Sequence, residues 1–134
     1  MARLATMEIK RINIARLAAI LIWSALAYVG IAGWINQWSQ CDTLGRQIHT
    51  LAQLAYGVLS VVLVIIHLRS RRTPKVLAVI WGLAITMATG MAPIVWGSAG
   101  LVASAAAAVS GLLLVMGSLW LAHRGSRALT SRLN

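Results

Sequence analysis

The chain has 134 residues, 60% of them hydrophobic and 10% charged, with a mean hydropathy of +0.82. Soluble domains average about 45–50% apolar and about 25% charged residues, so this composition excludes a soluble enzyme and a disordered chain alike. The single Cys41 excludes an intrachain disulfide scaffold, and the net charge of +10 comes from basic residues that flank apolar runs, not from one surface interleaved with aromatics, so nucleic acid is not an expected partner.

Residues 1–16 carry Arg3, Lys10, Arg11 and Arg16 and read as a basic N-terminal segment. An apolar run over about 17–35 follows, close to the ~20 residues with which a helix crosses a ~30 Å hydrocarbon core. Ala25-Leu26-Ala27 has the small-residue pattern of a signal-peptide cleavage site, but the apolar run continues past it to Ile35, so an uncleaved first span is expected. The loop from Asn36 to Gln47 holds Cys41 and the charges Asp42 and Arg46.

A second span covers about 48–68 and carries the most informative pattern in the chain. His49, Gln53, Tyr56, Ser60 and His67 recur at helical steps and form one polar stripe. His49 and His67 are five full turns apart, about 27 Å of rise, which is nearly the thickness of the hydrocarbon core. Polar groups cost free energy against lipid, so this stripe is expected to face the bundle interior or a partner, opposite Ser24, Tyr28, Thr86, Thr89, Ser104 and Ser118.

Arg69, Arg71, Arg72 and Lys75 form a second basic cluster, with Pro74 placed to open the next helix. The third span, about 76–96, has Gly82, Thr86 and Gly90 at four-residue spacing, and Pro93 is expected to loosen its outer end. A turn over residues 97–100 leads to the fourth span, about 101–122. There Ala99, Ala103, Ala107 and Gly111 recur every four residues, and Ala103, Ser110 and Gly117 every seven. Small residues at such spacing let helix backbones approach in lipid, so Gly82, Gly90, Ala103, Ala107 and Gly111 are the expected packing residues. Residues 123–134 form a basic tail with His123, Arg124, Arg127 and Arg132.

The expected fold is therefore all-α, a four-helix antiparallel membrane bundle. Eleven of the twelve Lys and Arg lie in the N-terminal segment, the second loop and the C-terminal tail, so the positive-inside rule places both termini in the cytoplasm of a bacterial-type inner membrane. Trp34, Trp38 and Trp96 then fall at the outer ends of the spans and Trp23, Trp81 and Trp120 toward the inner ends, as interfacial belts.

No span contains a carboxylate, no nucleotide-binding, metalloprotease, serine-hydrolase or c-type haem motif occurs, and Glu8 and Asp42 lie on opposite sides of the membrane. No catalytic residue and no metal site is expected. The first functional reading is a non-catalytic anchor or accessory subunit of a larger membrane complex, partnered by lipid and by other subunits or by copies of itself. The second is a b-type cytochrome or quinone-linked electron-transfer subunit, in which His67 and His123, at similar depth, hold haem b. Copper held by Cys41, His49, Met87 and Met91 lacks the usual Met or Cys pair spacing. The third reading is a small oligomeric channel or carrier lined by the stripe.

Overall fold

The computed structural model describes residues 2–70, 73–97 and 100–133, with side chains described at 14–70, 73–97 and 100–124. Four helices account for nearly all of them: α1 (Ala2–Gln37), α2 (Leu44–Ser70), α3 (Lys75–Trp96) and α4 (Leu101–Leu133), with one 3-10 turn at Trp38–Gln40 and no strand among the described residues. Each helix contains a stretch of 22–27 residues long and apolar enough to cross a bilayer, marking a multi-pass membrane protein.

The helices are longer than the apolar runs alone. The basic segments at both ends contain few helix breakers, so α1 continues back to Ala2 and α4 on to Leu133. At 1.5 Å per residue the 36 residues of α1 span about 54 Å, well beyond the hydrocarbon core. Helix α2 begins at Leu44, four residues before the apolar run, because the Thr43 hydroxyl accepts the Arg46 N–H at 3.2 Å and caps its first turn. Pro74, extended at φ −60° and ψ 131°, opens α3, which carries Pro93 through to Trp96. Ser98 and Ala99 of the last turn lie outside the described residues, as do Arg71, Arg72 and the side chains of Arg3, Lys10, Arg11, Arg127 and Arg132.

The helices form a closed ring in which α1 and α3 each pack on α2 and α4. Heptad-like spacing supplies the inner faces. On α4 the inward line is Ser104, Ala108, Gly111, Val115, Ser118 and Ala122, stepping by four and three. Helices α3 and α4 meet where Gly82 faces Val115, Gly90 faces Ala108, and Gly111 faces the Thr89 side chain. Ala107 is half-buried. Ala103 is exposed, off that contact, and so are Ser110 and Gly117. The seven-residue line of small residues thus looks outward, because the alanine run is equally small on every face and gives the helix no preferred side.

Among the described glycines, the closest approach of one helix backbone to another lies between α1 and α2. A Cβ built on Gly30 would stand 2.5 Å from the Gln53 carbonyl oxygen and 2.8 Å from the Gly57 Cα, so only glycines let these two backbones touch.

Candidate functional site

The half of the bundle nearer the connection between α2 and α3 holds a polar and aromatic cluster built from all four helices. Trp23 of α1 and Trp81 of α3 are wholly buried and meet edge to face, their ring centroids 6.2 Å apart. An indole N–H at this depth has no water to donate to, and leaving it unpaired costs about 1–3 kcal/mol. The Trp23 N–H donates to the Ser118 hydroxyl of α4 at 3.1 Å, and the Trp81 N–H to the Ser60 hydroxyl of α2 at 2.8 Å. Each serine in turn donates to a carbonyl of its own helix: Ser60 to Tyr56 at 2.6 Å and Ser118 to Val115 at 3.0 Å. Both hydroxyls are therefore saturated, and each indole is fixed against its neighbour.

His67 joins this cluster. It is buried, its ring packs edge-on to Trp23 at 5.5 Å, and its Nε2 accepts the Arg16 Nε–H at 3.2 Å. A second Arg16 nitrogen donates to the His67 carbonyl at 3.3 Å. The guanidinium thus lies on the end of α2, where only a neutral imidazole can receive it at Nε2. His123 is exposed at the end of α4.

The opposite half, beside the connection between α1 and α2, holds a second cluster. His49 is buried, and its Nδ1 accepts the Trp96 N–H at 2.9 Å. Arg46 lies 4.8 Å from the Trp96 ring centroid, donates to the Val95 carbonyl at 3.3 Å, and pairs with Asp42 at 2.8 Å. Such a cation over an indole adds about 0.5–2 kcal/mol, depending on desolvation. Cys41 Sγ lies 3.1 Å from the Thr50 hydroxyl and 3.2 Å from the Gln37 carbonyl oxygen. Among the described residues, no group of three or more His, Cys, Asp or Glu is placed to hold a metal ion.

The stripe residues His49, Tyr56, Ser60 and His67 are all buried, and Gln53 is half-buried against Gly33. Ser118 meets the indole of Trp23, whereas Thr86, Thr89 and Ser104 donate to the Gly82, Ile85 and Gly90 carbonyls. Ser24 and Tyr28 do not face the stripe. Both are exposed on the outer side of α1, Tyr28 at 75%. Trp23 and Trp81 are core residues and not belt residues; Trp38 and Trp120 keep exposed, interfacial positions, Trp120 beneath the Arg124 guanidinium at 5.2 Å. Sequence reasoning missed Arg16, Trp23, Trp81, Gly30 and Gly57. A signal existed for the indoles, because Trp81 lies six residues, about 9 Å, inside α3 and so deeper than a headgroup belt.

No family model, no curated protein and no solved structure matches the chain.

Proposed function

We propose that this protein is a non-catalytic anchor or accessory subunit of a larger complex in a bacterial-type inner membrane, with both termini in the cytoplasm. The observation that carries the reading is Tyr28. It stands 75% exposed, and no described residue hydrogen-bonds its hydroxyl. Within the apolar run of about 17–35 it lies eleven residues from one end and seven from the other, so even the nearer end is about 10 Å away. A phenol at that depth is too far from either interface for its hydroxyl to reach water, and an unpaired hydroxyl in hydrocarbon is costly. A helix of another subunit that offers an acceptor there removes the cost, and Ser24, one turn away on the same outer side, extends the patch.

The interior supports the same reading. Side chains of the protein itself fill the centre of the ring, and the indole donors Trp23 and Trp81 are bonded within it, whereas a carrier needs a polar path that a solute can enter. The test places a photoreactive benzoylphenylalanine at position 28, and separately at exposed Leu83 of α3, in native membranes. The expected result is a protein adduct of distinct mass from position 28 and lipid adducts from position 83. Lipid adducts alone at both positions would overturn the proposal, and an adduct holding two copies of this chain would replace it with the oligomeric reading.

A further inference from the structure

The α1–α2 interface changes character along its length. At Gly30 and Gly57 the backbones touch, and this crossing fixes the antiparallel register. Stepping outward by equal rises on both helices pairs Trp34 with Gln53 and then Gln37 with Thr50. The side-chain contacts agree with that register. Gly33, beside Trp34, lies against the Gln53 amide, with 3.0 Å from its ideal Cβ position to Oε1. The Gln37 carbonyl and the Thr50 hydroxyl both meet the Cys41 sulfur, at 3.2 and 3.1 Å.

Between that glycine floor and that sulfur roof lie three buried side-chain atoms with no hydrogen-bond partner among the described residues: Trp34 Nε1, Gln37 Oε1 and Gln53 Oε1. Trp34 and Gln37 are one turn apart on α1, and Gln53 stands opposite them, so the three share one level of the bundle, within one helical turn. One is a donor and two are acceptors. The set complements a hydroxylic guest, which accepts one hydrogen bond and, as water, donates two. The three atoms are themselves shielded by the packed helices, and an amide oxygen left bare in apolar surroundings is unfavourable.

We propose that the outer half of the α1–α2 interface is a binding site for one hydroxylic guest that accepts from the Trp34 indole: a water molecule, which donates to both the Gln53 and the Gln37 amide oxygens, or the terminal hydroxyl of a lipid headgroup, which donates to one of them. The guest joins the two helices just where their backbones separate, and it takes the place of the direct contact that Gly30 and Gly57 make one turn deeper. The site is independent of the subunit role above, because it lies inside the ring and Tyr28 lies outside it.

Magnetisation transfer from the indole protons of protein carrying 15N-tryptophan tests the site. The Trp34 resonance is assigned by its loss in Trp34→Phe. The measurement is made in phosphatidylglycerol nanodiscs and again in a detergent without hydroxyl groups. A cross-peak from the Trp34 indole proton to water in both media, with exchange into D2O slower than at exposed Trp38, identifies water as the guest. A cross-peak to the glycerol headgroup protons, present only in nanodiscs, identifies the lipid hydroxyl. Absence of both cross-peaks in the unmodified protein overturns the proposal without recourse to a variant. In Gln53→Leu the cross-peak is expected to fall at least several-fold; an unchanged cross-peak there would also overturn it, since the indole would then be meeting interfacial water without the amide.

Discussion

Replacing Gly30 with alanine tests the α1–α2 crossing directly. The added methyl would lie 2.5 Å from the Gln53 carbonyl oxygen, 2.8 Å from the Gly57 Cα and 2.9 Å from the Gly57 nitrogen. All three are main-chain atoms of α2, so no side chain can swing aside. Ordinary contact begins at 3.4 Å, and the backbones must therefore part locally by about 0.9 Å. A gap of ~0.5–1 Å forfeits about a quarter to a half of the dispersion attraction between the atoms that face it. Overpacking in a filled interior costs about 1–3 kcal/mol, and the higher helix propensity of alanine returns at most about 1 kcal/mol. The expected net loss is about 1–2 kcal/mol. Gly117→Ala is the control, since a methyl there meets nothing within 4 Å. Reversible unfolding in mixed micelles, followed by the fluorescence of Trp23 and Trp81 as they leave the core, measures both variants. Equal midpoints for Gly30→Ala and Gly117→Ala would refute the close crossing.

The other expectations test the remaining contacts. Trp81→Phe and Ser60→Ala are each expected to cost about 0.6–2 kcal/mol in the same unfolding assay, and the double variant less than their sum; strict additivity would remove the hydrogen bond between them. Gly111→Leu drives a side chain into Thr89 and is expected to lose about 1–3 kcal/mol, whereas Ala106→Leu, on an exposed position, is expected to be tolerated; equal tolerance would displace the α3–α4 contact. Ser39→Cys in a Cys41→Ser background introduces an exposed thiol in the first loop, and an impermeant maleimide is expected to label it in intact spheroplasts; labelling only after lysis would invert the topology. Protein purified from haem-replete cells is expected to show no Soret band, and a band abolished by His67→Ala would displace Arg16 as the partner of that imidazole.

The four spans were legible because about twenty consecutive apolar residues have few other uses, and the stripe on α2 was legible because polar residues stand out in an apolar run. Their partners were not. Tryptophan serves both interfacial belts and cores, and only the facing helix decides which: Trp23 and Trp81 are core because Ser118 and Ser60 stand opposite to take their protons. Ser24 and Tyr28 look, by composition, like further members of the interior set, yet the Ala19, Trp23, Ala27 and Gly30 face of α1 turns them outward. The Gly30–Gly57 crossing needs the register of two helices, which the intervening loop sets and which no single-helix periodicity contains. On α4 the ridge through Ser104, Gly111 and Ser118 and the line through Ala103, Ser110 and Gly117 are equally rich in small residues, so spacing alone does not choose between them.

The bond between Trp23 and Ser118 joins the first helix to the last across 95 residues of chain, whereas Trp81 finds Ser60 across only 21. At a synthesis rate of ~5–20 residues per second, the ribosome needs about 5–20 s to deliver Ser118 after Trp23 has emerged. During that interval α1 already lies in the bilayer or its insertion machinery with an indole donor that has no lasting acceptor. Biogenesis is therefore ordered by chemistry as well as by sequence. The first hairpin can join at its glycines as soon as α2 arrives, but the half of the ring around Trp23 stays open until α4 closes it. A nascent chain arrested before Ser118 would present Trp23 to whatever quality-control or insertion factor surveys the membrane for unmatched polar groups, which makes the last helix the one that certifies the first.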